Sequence, residues 1–408
     1  MNCRHCKTKL THKFLDLGFQ PPSNSYLSKN DLSRHEVNYP LRLNVCTYCW
    51  LVQTEDYAKE TEFFSSDYAY FSSTSVSWLL HAKEYCEKMR AQLALSNQSF
   101  VIEVASNDGY LLKNFIEMNI PCLGIEPTAS TADAAEQLNI PVMREFFGEG
   151  LAKKLVNLNQ TADLIIGNNV YAHVPDINDF TLGLFHSLKP EGVVTLEFPH
   201  LMRLVEFNQF DTVYHEHFSY LSLSTVNRIF ESCGLRIFDV EELSTHGGSL
   251  RIFGCKKSSI KTQSKNVIEL LEEEIRRGMQ TSIFYEGFQS KVDKIKDDLL
   301  VFLINEKRKG TKIAAYGAAA KGNTLLNYAG VKADLIPFVC DAAISKQGKF
   351  LPGSHIPILE PKELINYMPD LVMILPWNIA EEVKNQNKDL DDKGAKFFKA
   401  IPALTIVK

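Results

Sequence analysis

Cys3-Arg-His-Cys6 and Cys46-Thr-Tyr-Cys49 form two Cys-x-x-Cys knuckles, with residues 7–45 between them. Two residues between cysteines let one turn aim both sulfurs at a single ion, and two such turns complete a tetrahedral thiolate shell. Whatever residues 7–45 do, they must bring the knuckles back together. Pro21-Pro22, Pro40 and the alternating run Leu41-Arg-Leu-Asn-Val45 predict short strands and turns that do so. Four thiolates leave no open coordination position. The expected Zn2+ is therefore structural, held by Cys3, Cys6, Cys46 and Cys49. A redox dithiol is the competing reading, and His5 is an alternative ligand within the first knuckle.

The chain has 408 residues, more than one hydrophobic core accommodates, so two or three domains are expected. Forty-four basic against 49 acidic residues give a net charge of -5, with Lys and Arg scattered. This gives no electrostatic case for nucleic acid or an anionic membrane. No apolar run approaches the roughly 20 residues a membrane span needs. The start, Met-Asn-Cys-Arg-His-Cys, lacks the apolar core of a signal peptide. A cytoplasmic protein is expected, and nine cysteines do not then imply a disulfide scaffold.

Ser99-Phe-Val-Ile-Glu-Val-Ala-Ser-Asn-Asp-Gly-Tyr-Leu-Leu112 reads as a buried strand, a small-residue turn and the start of a helix. A second strand, Cys122-Leu-Gly-Ile-Glu126, ends in an acidic residue followed by Pro127. This is the nucleoside-binding half of a Rossmann-like sheet, in which the tip carboxylate accepts ribose hydroxyls. A dinucleotide site would use Gly-x-Gly-x-x-Gly to admit a pyrophosphate. Here the turn Glu103 to Gly109 has one glycine and two acidic side chains, which repel a pyrophosphate and suit a cationic sulfonium with an amino-acid tail. The pattern resembles the first motif of class I S-adenosylmethionine methyltransferases, with Ala105 and Asn107 where glycines are usual. That resemblance implies cofactor contacts from Glu103, Ala105, Asn107, Asp108, Gly109, Glu126 and Pro127. A third strand, Ala162 to Val170, carries Asn168 and Asn169 near its tip, followed by His173, and the resemblance places both asparagines at the cofactor.

Asp211-Thr-Val-Tyr-His-Glu-His-Phe-Ser-Tyr220 follows a further strand-like run, Val193 to Pro199. Tyr214, His215, Glu216 and His217 can each give, take or hold a proton. Taken alone they read as a polar surface loop; after a strand end of an open α/β sheet they sit where such folds place chemistry. Charged residues 266–309 have helical periodicity and predict a connecting helix or pair. Beyond them, Thr311 to Tyr316 predicts a strand, Gly317 to Lys321 a turn, and Asn323 to Asn327 the start of a helix. Ala333 to Val339 and Asp370 to Leu375 predict further strands. Amides at that helix start, together with Lys321, suit a diphosphate, and Lys346 and Lys349 follow in a loop. Its turn misses the spacing of a dinucleotide site, which argues against an NAD-dependent sugar enzyme.

In this order, the knuckles, the methyltransferase core and the second Rossmann-like unit resemble the zinc-containing C-methyltransferases of nucleotide-linked 4-keto-deoxysugars. Tyr68-Ala-Tyr-Phe-Ser-Ser73, Tyr214-His-Glu-His217, His246-Gly-Gly-Ser-Leu-Arg251 and Gly348-Lys-Phe-Leu-Pro-Gly-Ser-His-Ile-Pro357 carry the likeness across the chain. The resemblance implies an α/β fold in three parts. These are a zinc-binding domain over 1–66, a class I methyltransferase Rossmann-like domain over 67–255, and linker helices with a C-terminal nucleotide-sugar domain over 256–408. It implies S-adenosyl-L-methionine as methyl donor and a nucleotide-diphosphate keto-deoxysugar as substrate, with His217 as base and Glu216 orienting it or raising its basicity. Tyr214, His173 and Tyr68 then hold the sugar and its enolate, and His246, Arg251, Lys321, Lys346 and Lys349 bind substrate. Methylation at carbon 3 by a monomer is expected; alternatives are carbon 5, or a nucleotide-sugar binder without catalysis.

Overall fold

The computed structural model describes residues 1–57, 72–74 and 76–407. Strands β1 (His12–Gln20), β2 (Tyr39–Val45) and β3 (Val52–Thr54) make an antiparallel sheet above the cysteine knuckles. The alternation read in Leu41, Leu43 and Val45 is real: all three are buried on one face, as period-2 strands require.

The central sheet contains β4 (Val101–Val104), β5 (Cys122–Ile125), β6 (Val142–Met143), β7 (Ala162–Asn168) and β8 (Leu188–Pro199). After β9 (Ser219–Tyr220) the chain returns to it through β10 (Leu235–Leu243) and β11 (Ser249–Lys256). The spatial order is β6-β5-β4-β7-β8-β11-β10, parallel from β6 to β8, with β11 antiparallel to both of its neighbours. The order reverses between β4 and β7, so a crevice opens at the carboxyl ends of those two strands. This is the class I methyltransferase sheet.

Strand β9 does not join that sheet. It pairs with β3, Val52 opposite Tyr220, so the segment before it is pulled against the N-terminal sheet. Helices Lys265–Arg276 and Phe288–Lys309 then lead to the third sheet, as the charged periodic stretch predicts. That sheet holds β12 (Ile313–Tyr316), β13 (Val339–Cys340), β14 (Ile358–Leu359), β15 (Leu371–Ile374), β16 (Lys396–Lys399) and β17 (Thr405–Ile406). Its order is β14-β13-β12-β15-β16-β17, parallel except for β17, with the reversal between β12 and β15.

Two expectations shift here. The helix after β12 runs Ala320–Ala329, three residues ahead of the predicted start, which puts Lys321 in its first turn. The strand predicted over Ala333 to Val339 shrinks to Val339–Cys340. Leu335 and Ile336 instead form a turn whose amides bond back to the Lys332 carbonyl. No described helix is long and apolar enough to cross a membrane.

Candidate active site

The metal site is built by two copies of one turn. Lys7 and Trp50, each directly after a knuckle, have φ of 62° and 64°, and their amides bond to the Cys3 and Cys46 carbonyls at 3.0 and 2.9 Å. Cys3 and Cys49 sulfurs lie 3.5 Å apart, as do those of Cys6 and Cys46, and all four sulfurs fall within 4.8 Å of one another. Zinc–sulfur bonds of about 2.3 Å in a tetrahedron put sulfurs about 3.8 Å apart, so the donor set fits Zn2+. His5 is not part of it; its Nδ1 meets Asn178 Oδ1 at 2.8 Å.

At the β4/β7 crevice, Ala105, Asn107 and Gly109 have φ of 57°, 49° and 77°. The two positions where glycine is usual in such turns are thus left-handed here despite carrying side chains. Asparagine tolerates that region, whereas alanine is strained there by about 1–2 kcal/mol. Gly109 has no such latitude: a Cβ would come within 2.4 Å of Ile140 Cδ1. Glu126 Oε2 accepts the Asn107 amide at 3.0 Å and Oε1 the Thr128 amide at 2.9 Å, bracing the turn from the tip of β5. Pro127 lies between these two anchored positions. Glu103 is fully buried, and burial, then Asp108 and Glu126, raise its carboxyl well above the usual range.

Several buried polar atoms at this crevice have no partner among the described residues: Glu103 Oε2, Asp108 Oδ1, both amide atoms of Asn168, and Asn169 Oδ1. Unpaired buried polar atoms destabilise a fold unless a ligand meets them. Three clustered carboxyls, two of them with unpartnered oxygens, fit a cationic amino-acid ligand, and S-adenosylmethionine is one.

The Tyr214–His217 segment is gripped from both sides. Thr54 Oγ1 donates to the His217 carbonyl at 3.2 Å, and the Tyr220 hydroxyl accepts the Tyr214 amide at 3.0 Å. From the third sheet's side, Thr324 Oγ1 donates to the Val213 carbonyl at 3.0 Å. The ring of His217 lies edge-on to His173, centroids 4.5 Å apart, and to Tyr214, 4.7 Å apart. His173 Nδ1 donates to the Glu216 carbonyl at 3.0 Å, which leaves its Nε2 with the lone pair. Burial lowers His173 to about 4. It lowers His217 well below its usual value too, helped by the charges of His173, His246 and Lys321, while the Thr212 carbonyl acts in the opposite direction. Burial first, then Asp211 and Glu216, raises Tyr214 well above its usual value, so its hydroxyl stays protonated.

Glu216 does not orient the His217 ring as expected. Its Oε1 accepts from Asn24 Nδ2 at 2.8 Å, and the Thr212 backbone carbonyl serves the ring instead. Residues 214–217 form a turn closed by the His217 amide on the Tyr214 carbonyl at 3.2 Å, and the two side chains leave it toward different partners. Burial pushes the Glu216 carboxyl up to about 7. His215 is a packing residue: Nε2 donates to the Tyr39 carbonyl at 3.2 Å. Tyr68 lies outside the described residues.

The second crevice, between β12 and β15, faces this segment. Gly317 (φ 88°) approaches Pro376 so closely that a Cβ would sit 2.4 Å from its ring. Lys321 Nζ lies 4.6 Å over the Trp377 ring and donates to Asn378 Oδ1 at 2.6 Å. Burial lowers its ammonium to about 8, with Asp211 pulling the other way. Asp211 is fully buried, accepts Trp377 Nε1 at 2.7 Å, and is pushed by burial up to about 7. Lys346 Nζ donates to the Ala318 carbonyl at 2.9 Å, beside Tyr26, whose hydroxyl donates to the same carbonyl at 2.6 Å. Lys349 is half-buried in the same loop, which bridges to Leu27 through Phe350. Arg251 is placed otherwise than a substrate-binding role needs. It is 4% exposed, paired with Glu197 at 2.7 Å, and its guanidinium lies 4.6 Å over Tyr85. His246 stands at the crevice, Nε2 3.3 Å from Asn169 Nδ2, with φ of 53°.

Sequence reasoning missed Asn24, Asp211 as a partner of Trp377, and Tyr26. Each acts through a contact between distant parts of the chain, and no local spacing marks it.

The chain is 30% identical over 405 residues to the C-methyltransferase NovU of Streptomyces niveus, an alignment covering 99% of this chain and 96% of that protein. Residues 3–64 match the family described as "Putative zinc binding domain", 78–240 "Methyltransferase domain", and 244–402 "C-methyltransferase C-terminal domain". Among solved structures, magnesium protoporphyrin IX methyltransferase from Synechocystis PCC 6803 with bound S-adenosylhomocysteine is 14% identical. It covers 45% of this chain and 84% of that one, with a TM-score of 0.36. An S-adenosylmethionine-dependent methyltransferase from Clostridium acetobutylicum ATCC 824 is 11% identical, covering 45% and 91%, with a TM-score of 0.34. The chain belongs to the C-methyltransferase family, as a zinc-containing enzyme that uses S-adenosylmethionine.

Proposed function

We propose that this enzyme methylates a ring carbon, carbon 3 being expected, of a nucleotide-diphosphate-linked 4-keto-6-deoxysugar, with thymidine as the base. One observation carries the reading. A neutral imidazole pair and a protonated tyrosine, His217, His173 and Tyr214, lie between an acidic crevice and a basic one.

When bound, S-adenosylmethionine supplies an electrophilic methyl group, and Glu103, Asp108, Glu126, Asn168 and Asn169 are the residues that would hold it. Methylating carbon requires a carbanion equivalent, which a sugar offers only beside a ketone. His217 is uncharged at neutral pH, as a base must be. With one ring nitrogen turned to the Thr212 carbonyl, its other nitrogen takes the proton from the carbon beside the ketone. Tyr214 donates its hydroxyl hydrogen to the developing enolate oxygen, an interaction that strengthens as charge builds and contributes about 3 kcal/mol in comparable sites. His173, held by the Glu216 carbonyl, and Tyr68 contact the sugar. Lys321 and Lys346, with the amides opening helix Ala320–Ala329, take the diphosphate. Incubation with S-adenosylmethionine and a panel of keto-deoxysugar nucleotides, followed by mass spectrometry and NMR of the product, tests the reading. A methyl group on carbon is expected; methylation of oxygen or nitrogen, or of no sugar in the panel, would refute it.

A further inference from the structure

One buried carboxylate at the crevice has no part in that mechanism. Glu197 sits at the carboxyl end of β8, opposite Asn168 on one side and Arg251 on the other, and is fully buried. Its carbonyl accepts the Asn169 amide at 2.7 Å. Its carboxylate ties three elements together. Oε2 accepts from Arg251 Nη2 at 2.7 Å and lies 3.0 Å from His81 Nε2, and Oε1 accepts from Thr245 Oγ1 at 2.9 Å. His81 stacks on Trp78 in helix Val76–Gln92, centroids 4.9 Å apart. Thr245 precedes His246, a non-glycine residue in the left-handed region, whose ring lies 5.4 Å from that of Trp78 and whose Nε2 meets Asn169. Burial alone would raise the Glu197 carboxyl; the His81 and Arg251 interactions overcome it and hold it at about 2.

Glu197 itself need not touch substrate, yet its network fixes what faces the crevice. A strained turn such as that at His246 persists only when its surroundings over-determine it. We propose that Glu197 is a positioning residue for methyl transfer, holding the His246 turn and the Trp78 helix against the ends of β7 so that the crevice keeps its reactive shape. The proposal rests on the sugar C-methylation reading for its kinetic test but not for its structural one. It also gives Arg251 its place, as the counter-charge that keeps Glu197 ionised.

Glu197→Gln leaves buried Arg251 with only the more distant Glu241 carboxylate, at 3.5 Å, so it reports folding as much as position. Thr245→Val is the sharper variant, because it removes one hydrogen bond and keeps every charge. The expected result is a kcat lowered about tenfold to a hundredfold, since small misplacements near reacting groups have effects of that size. The KM for S-adenosylmethionine and the unfolding temperature should stay at parent values. Histidine ring NMR of the protein with S-adenosylhomocysteine bound, read without sugar, should show the His246 signals moved. Unmoved signals overturn the proposal whatever turnover does, and moved signals with parent kcat overturn it as well. If the parent methylates no keto-deoxysugar nucleotide, the sugar reading fails and the NMR result alone decides the role of Glu197.

Discussion

The two crevices of this enzyme are built alike and lined differently. Each opens where a parallel sheet reverses its strand order, between β4 and β7 in one unit and between β12 and β15 in the other. The first collects the carboxyls of Glu103, Asp108 and Glu126, with unpartnered oxygens on Glu103 and Asp108; the second sets Lys321 near Asp211 and Lys346 beside Asp341. One backbone solution therefore carries two different linings, and under the proposed function the first takes the cationic cofactor and the second the diphosphate. Between them lies the Tyr214–His217 segment, bonded to the N-terminal sheet through Thr54 and to the third unit through Thr324. The N-terminal region also spans the gap, through Asn24 to Glu216 and Tyr26 to Ala318.

The deepest cut is at the bridge. His217→Asn should lower turnover about 10²–10⁴-fold, the contribution of a placed base. Affinity for S-adenosylhomocysteine and for thymidine diphosphate should persist, since neither crevice is altered. Exchange of the substrate's α-proton into D2O at the parent rate would show that another group is the base.

The division of labour is tested by charge removal on each side. Asp108→Asn should weaken S-adenosylmethionine binding about 10–100-fold and leave thymidine diphosphate affinity intact; Lys321→Met should do the reverse, by about tenfold. Calorimetry on both variants with both ligands decides it, and a variant that weakens both ligands equally would break the comparison.

A smaller effect appears in stability. Glu216 has a folded-state pKa of about 7 against an ordinary 4.5, so its neutral form is the one the fold favours. The stability linked to it is fully present below 4.5 and is lost as pH rises through about 7, amounting to about 3 kcal/mol at alkaline pH. Glu216→Gln keeps an acceptor for Asn24 and should raise the unfolding temperature at pH 8 while leaving it nearly unchanged near pH 4.5. A rise of equal size at both pH values would mean that the carboxyl is not strained by ionisation.

The smallest expected change is at the acidic turn. Ala105→Gly relieves about 1–2 kcal/mol of left-handed strain but adds about 0.5–1 kcal/mol of chain entropy lost on folding. Denaturant unfolding should show a gain of between zero and about 1.5 kcal/mol by this difference. A clear loss would mean that the alanine methyl group packs against something the turn needs.

Much of this was legible in the chain. The knuckles are local turns, so their spacing suffices to specify a thiolate cluster. The run Ser99 to Glu126 carries its strand, turn and acidic tip in consecutive residues, and Ala105 and Asn107 mark the positions that become left-handed. Less legible was the third unit, where Ala333 to Val339 has the apolar content of a strand but folds largely as a turn, because only Val339–Cys340 finds partners. Glu216 and His217 are adjacent in sequence and were expected to cooperate, yet they face different neighbours.

The sequence by itself determined the metal set, the Rossmann-like core and the small-residue turn after β4, because those depend on residues within a few positions of one another. Only the tertiary structure decided that Thr212 and not Glu216 serves His217, and that Arg251 pairs with Glu197. It also joined Asp211 to Trp377 across 166 positions. Hydrogen bonds and burial act through distance in space, and chain separation carries almost no record of that distance once three sheets have folded against one segment.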